Sequence, residues 1–208
     1  IGRALAVALA RSGCHLALVD LNPDSLAETA TQARALGARV SEHPTDVSDR
    51  SAVAALPSAV VAEHGSVDLL INNAGVALGG TFDQVSEENF DWLMSINFDA
   101  VVTLCRAFLP LLRQRPEARI VNISSLFGLI TPAGQTAYCA SKFAVRGFSN
   151  ALRLELTNTN VGVTVVHPGG VATAIATSAR SPDCESDAEK QRKLARANRL
   201  LRMPPPKA

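Results

Sequence analysis

Apolar residues in this chain fall in short runs, separated by longer stretches where they recur every three or four positions. Residues 1–12 (IGRALAVALARS) read as an Ala- and Leu-rich helix ended by Gly13. Residues 14–20 (CHLALVD) read as a strand. Asn22-Pro23 opens a second helix through about Leu36, with Pro23 in its first turn and Gly37 just past its end. A weaker strand covers 38–43, and Asp46-Val47-Ser48-Asp49 leads into a helix ending near His64. The apolar run 67–71 (VDLLI) is followed at once by Asn72-Asn73-Ala74-Gly75. A long helix is predicted over about 86–113, a strand over 119–124, a helix over 136–158 and a strand over 161–166.

Strands therefore alternate with helices, and several strands are apolar throughout, as when helices cover both faces of a sheet. The pattern predicts an α/β chain with a doubly wound parallel sheet, one domain over residues 1–208. From about 176 to 208 the pattern changes to charged helical stretches (ESDAEKQRKLARANRLLR). We expect a mobile surface segment beside the site there, its basic run a solvated helix face.

Composition narrows the function classes. Hydrophobic residues make up 47% of 208, which fits one globular core. Twenty basic against 19 acidic residues leave a net charge of +1, so no field points to nucleic acid or an anionic membrane. Aromatics at 4% are too few for a base-stacking surface. Cys14, Cys105, Cys139 and Cys184 form no CxxC and no ligand cluster, so no metal site is expected. Ordinary thiols suit a reducing compartment, and we expect a cytoplasmic protein. No uninterrupted apolar run approaches the ~20 residues of a membrane span, and no signal peptide is visible. The chain opens on Ile1-Gly2-Arg3 and closes on Pro204-Pro205-Pro206-Lys207-Ala208, and we expect both ends to be cut.

The chemistry centres on Tyr138-Cys139-Ala140-Ser141-Lys142, which holds the only tyrosine in the chain. Residues i and i+4 share a helix face, so Lys142 sits beside the phenol. A neighbouring ammonium favours the phenolate and lowers a pKa that is ordinarily about 10. A phenol so tuned exchanges a proton with an alcohol or carbonyl near neutral pH. Ser125, thirteen residues upstream, and Ser124 beside it lie at the end of the strand RIVNIS, at the carboxyl edge where such sheets bind ligands. Alternation lets only one of the two face the site.

Tyr138-xxx-Lys142, the upstream serine, Asn72-Asn73-Ala74-Gly75 and Pro168-Gly169, in this order, resemble the short-chain dehydrogenase/reductase family. The resemblance covers nearly the whole chain. It implies a Rossmann-like fold and hydride transfer between a nicotinamide cofactor and an alcohol or carbonyl. It assigns Tyr138 as acid/base, Lys142 as the group that lowers its pKa and holds the nicotinamide ribose, and Ser125 as the hydroxyl that orients substrate. Asn97, in Ser95-Ile96-Asn97-Phe98, matches the asparagine that supports a water-linked proton path. Of the family's glycine-rich phosphate loop only its last two residues are matched, by Ile1 and Gly2. Asp20 would accept the adenosine ribose hydroxyls, and Leu21 follows it where an NADP enzyme carries a cation, so NAD is expected over NADP. Arg3 is the one nearby cation that argues the other way.

Asp46 and Val47 resemble the adenine contact. Asn72, Ala74 and Gly75 resemble the segment under the adenosine ribose. Pro168, Gly169, Val171 and Thr173 resemble the stretch that holds the nicotinamide carboxamide. Leu126, Phe127, Gly128, Leu129 and Gln135 are expected to line the substrate pocket, with 178–200 as a lid. The resemblance further implies a homodimer or homotetramer packed through the long helices. It places in mid-sheet a first strand that this chain lacks, exposing the edges of two neighbours. An NADP-dependent carbonyl reductase, or a catalytically idle nucleotide sensor on the same fold, are the competing readings.

Overall fold

The computed structural model describes residues 1–171, 173–175 and 177–182, and singly 192 and 195. Helix α1 (Gly2–Arg11) starts at Ile1 without a side-chain cap. The chain then turns at Gly13, whose φ of 83° suits glycine, into strand β1 (Leu16–Asp20). Asn22 starts α2 (Pro23–Arg34) by accepting the Ser25 N–H at 3.0 Å. Strand β2 (Val40–Pro44) follows. The Asp49 carboxylate then caps α3 (Arg50–His64) through the Ser51 and Ala52 N–H groups. Strand β3 (Leu69–Asn72) leads by a long loop to α4 (Glu87–Met94), capped by Ser86. The order ends with α5 (Ala100–Leu112), β4 (Ala118–Ile123), α6 (Thr136–Glu155) and β5 (Val161–Val166).

The predicted long helix over 86–113 is not regular. Ser95–Asp99 forms a π-helical turn between α4 and α5, with Asn97 fully buried in it. Periodicity cannot show this, because the turn is supported by partners distant in sequence. Glu87–Leu112 taken as one stretch is long and apolar enough, by length and composition alone, to cross a membrane. Its Val101, Leu104, Phe108 and Leu112 are buried in the main core.

Every strand pairing is parallel. β1 pairs with β2, from Leu16 opposite Val40 to Asp20 opposite Pro44. β3, β4 and β5 pair in that order, with Asn72 opposite Asn122 and Ile123 opposite Val166. The strands thus make two parallel sheets, and the break between β1 and β3 falls where the resemblance places a further strand. One core still spans the break. Ala17 and Val19 of β1 pack with Val53 and Val60 of α3, Phe108 of α5 and Ile120 of β4. Each fully buried aliphatic side chain there contributes roughly 1.5–3 kcal/mol. Parallel register sets the carboxyl ends of β3, β4 and β5 side by side, and the loops that leave them carry the candidate site.

Candidate active site

The two serines that end β4 divide as strand alternation requires. Ser124 is buried and donates to the Lys142 carbonyl oxygen at 2.9 Å, so it fastens β4 to α6. Ser125 faces the other way, extended at φ −161° and ψ 164°, and its Oγ accepts the Phe127 N–H at 3.1 Å. The Ser125 hydroxyl lies near enough to Tyr138 to favour the ionised phenol. On α6, Lys142 Nζ stands 5.7 Å from the centroid of the Tyr138 ring and donates to the Ile123 carbonyl at 3.2 Å. Phe127 meets the same ring edge-on, 6.1 Å between centroids.

Asn97 joins these groups from the π turn. Its Oδ1 accepts the Val76 N–H at 2.8 Å, and its Nδ2 donates to the Val76 carbonyl at 3.0 Å and to Ser141 Oγ at 3.1 Å. Ser141 in turn donates to the Tyr138 carbonyl at 2.8 Å. Gly75 lies between: a Cβ there would stand 3.2 Å from Asn97 Oδ1 and 3.3 Å from Lys142 Nζ. Asn97, Ser125, Tyr138 and Lys142, drawn from three separate elements, are thus linked through Gly75, Ser141 and the Tyr138 ring.

The electrostatics differ from the sequence expectation in one respect. Burial raises the Tyr138 pKa above its ordinary value, and the Ser125 hydrogen bond only partly offsets this. The Lys142 ammonium, which donates to the Ile123 carbonyl and stands 5.7 Å from the ring centroid, is not among the causes of this shift. Burial instead acts on the lysine itself and pushes its pKa down to about 8. The site therefore holds a neutral phenol beside an ammonium that releases its proton easily.

The residues expected to hold a cofactor are distributed as follows. Gly2 lies against Asn73, where a Cβ would come within 2.7 Å of Asn73 Nδ2. This brings the start of α1 to the end of β3. Ile1 precedes it as the helix's uncapped start. Asp20 is exposed at the end of β1, with Oδ1 accepting the Asn22 N–H at 2.9 Å. Arg3 does not reach toward it. Its guanidinium pairs with both Glu28 oxygens at 2.9 and 2.8 Å, and its Nε donates to Thr29. Asp46 is exposed and folds its carboxylate onto Ser48 N–H and Oγ, while Val47 packs against the core. Ala74 is exposed and Gly75 half-buried, both without bulk. Val171 and Thr173 are half-buried, and Pro168 and Gly169 abut Leu126.

Two of the expected positions face inward. The Asn72 side chain turns into the protein, donating to Asn122 Oδ1 at 2.7 Å and Cys105 Sγ at 3.4 Å. Asn122 continues the chain to Ser149 Oγ at 2.9 Å. The strand pairing that sets Asn72 opposite Asn122 decides this, so Asn72 ties β3 to β4 and α6 and only its backbone borders the site. Gly128 likewise packs inward. It is buried against Ser124 and the Lys142 carbonyl, while Leu126 and Leu129 are partly exposed and Gln135 faces Gly79.

Sequence reasoning also missed the clamp on the stretch after β5. Arg180 exchanges backbone bonds with Ala77 and Gly79, and its guanidinium lies 3.7 Å from the Trp92 ring centroid and donates to Asn89 at 3.0 Å. Pro182 is fully buried against Gly80. The described part of the segment expected to be mobile, 177–182, is thus fastened beside the site. The rest of the 178–200 lid, apart from isolated positions, lies outside the described residues.

Parallel α/β layers with buried Tyr138, Lys142 and Asn97 and a half-buried Ser125 at the strand ends define an oxidoreductase of Rossmann type. The family model for short chain dehydrogenase matches residues 1–183. SadH of Mycobacterium tuberculosis (strain ATCC 25618 / H37Rv), named as a candidate oxidoreductase, is 47% identical over 187 residues, 89% of this chain and 68% of that protein. The NAD complex of a short-chain dehydrogenase/reductase from Burkholderia phymatum superposes with a TM-score of 0.89 at 34% identity, over 97% of this chain and 75% of that one. A metagenomic short-chain oxidoreductase in complex with NADP gives 0.77 at 33%, over 83% and 78%. This chain belongs to the short-chain dehydrogenase family.

Proposed function

We propose that the protein moves a hydride between NAD(H) and a secondary alcohol or ketone, with Tyr138 as acid/base. The observation that carries this is the convergence of Tyr138, Ser125, Lys142 and Asn97 on one another at the ends of β3 and β4. The residues around them fit a nicotinamide dinucleotide. Gly75 leaves room beside Lys142, and an exposed Asp20 carboxylate stands at the end of β1. When bound, the nicotinamide accepts or returns the hydride, and the protein supplies position and charge. Ser125 Oγ holds the substrate oxygen. In reduction Tyr138 donates its phenolic proton to that oxygen as the carbonyl carbon gains hydride; in oxidation the phenol first releases its proton to water, and the phenolate then takes the alcohol proton as hydride leaves. Lys142 and Asn97 pass the proton onward through water. Burial keeps the resting phenol protonated, the form that reduction requires.

NAD is favoured over NADP by two observations. The Asp20 carboxylate would repel a 2′-phosphate, and the nearest cation, Arg3, is already bound to Glu28. Free thiols at Cys14, Cys105 and Cys139 support a reducing, cytoplasmic setting. Thr136, Ala140 and Phe143 are exposed on α6, which supports homo-oligomerisation through this helix.

The test is Tyr138→Phe. Turnover of secondary alcohols and ketones, followed at the nicotinamide absorbance, should fall by at least about 10²-fold. NAD affinity, read by titration against NADP, should be retained and remain the tighter of the two. Near-normal turnover in the variant would refute the acid/base role, and tighter NADP binding would refute the cofactor preference.

A further inference from the structure

The residue that follows β5, His167, is half-buried, and its Nδ1 lies 3.0 Å from the backbone carbonyl oxygen of Ser125. A carbonyl oxygen only accepts, so Nδ1 carries the proton, as it does in one neutral tautomer and in the imidazolium alike. The same carbonyl accepts the Gly128 N–H at 2.9 Å, which closes the turn after β4. One residue on, the Leu126 N–H donates to the Pro168 carbonyl at 2.8 Å. Gly169 offers no side chain where Leu126 packs; a Cβ there would stand 3.3 Å from Leu126 Cβ and Cδ2. Two adjacent residues of the serine turn are thus stitched to two adjacent residues of the turn after β5. The Ser125 hydroxyl takes its direction from that turn, since it accepts the Phe127 N–H at 3.1 Å.

We infer that His167 is a positioning residue, whose Nδ1–H holds the Ser125 carbonyl and so aims the Ser125 hydroxyl at Tyr138. The inference rests on the function proposed above. The ring acts through Ser125 and not on substrate. Losing the ring leaves the β4–β5 pairing and the Ser124 N–H to Val166 carbonyl bond at 2.8 Å in place, so the fold survives the change.

The test compares three variants. His167→Asn places an amide nitrogen where Nδ1 sits, whereas His167→Gln places it where Nε2 sits and His167→Ala offers no donor. For Ala and Gln, kcat should fall about tenfold with the cofactor KM changed by less than about twofold, while Asn stays within about twofold of the parent. The pH profile of kcat should keep its shape in His167→Asn, because the donating N–H does not depend on ring titration. Hydrogen exchange in the peptide covering 124–130 should quicken in Ala and Gln but not in Asn. Equal activity and exchange in Ala and the parent would overturn the inference, as would an Asn variant no better than Ala. An altered pH profile in Asn would make the ring itself the proton carrier and overturn it too. If Tyr138→Phe keeps its turnover, the proposed function fails separately, and the exchange pattern still decides the role of His167.

Discussion

Alanine at position 128 should destabilise this protein, and alanine at position 147 should stabilise it. Neither glycine has a positive φ, so backbone strain is absent from both changes and only surroundings differ. At Gly128 the new methyl would overlap Ser124 Oγ and stand 2.9 Å from the Lys142 carbonyl oxygen and 3.2 Å from its carbon. The hydroxyl can rotate away, but it then abandons the 2.9 Å bond to that carbonyl, and the carbonyl belongs to helix α6 and cannot retreat alone. Overpacking costs about 1–3 kcal/mol and the broken bond about 1 more, so a loss of roughly 2–4 kcal/mol is expected. Because Lys142 takes the push, kcat should fall as well. At Gly147, exposed on the same helix, no atom lies within 4 Å of the new methyl. There alanine gains about 0.5–1 kcal/mol through helix propensity and a less flexible unfolded chain. Denaturant midpoints at one protein concentration, analysed with a shared slope, report both changes. A Gly128→Ala midpoint at or above the parent's would refute the packing argument. A Gly147→Ala midpoint that fell in parallel would show that the helix responds to any added bulk.

Two further outcomes follow from the buried polar groups. Lys142 releases its proton at about 8 in the folded protein against 10.5 for an ordinary lysine, so between these values the unfolded chain holds the extra proton. Stability therefore rises with pH across that window, and the full burial penalty applies below it. The parent's stability relative to Lys142→Met should climb between pH 8 and 10.5; a flat difference would refute the burial effect. The rises at Tyr138 and Cys105 act in the opposite sense but cancel in the difference. Asn122→Leu keeps the branching but not the polarity, takes from the Asn72 amide its stronger acceptor and from Ser149 Oγ its donor, and should cost about 1–3 kcal/mol. A shift in denaturant midpoint worth less than about 0.5 kcal/mol would show that the polar chain is not a stabilising contact.

What could be read without coordinates was local. Asn22, Asp49 and Ser86 start helices because a short side chain meets an N–H two or three residues ahead, and Gly13, Gly37 and Gly65 mark the turns that end them. Tyr138 and Lys142 share a face because the helix repeat puts them there. The order of strands and helices, and with it the fold class, came from the same short-range periodicity.

What lay beyond the sequence was decided by partners distant along the chain. The π turn at Ser95–Asp99 goes with Asn97 bonds to Val76 and Ser141. Asn72 points inward because β4 sets Asn122 opposite it, and Arg3 is committed because α2 presents Glu28. The rise in the Tyr138 pKa comes from desolvation by surrounding elements, which outweighs the opposing effect of Ser125. Hydrogen bonds within a few residues are encoded by neighbours in sequence. Burial, and the identity of the atom across a packed interface, exist only once the layers have come together.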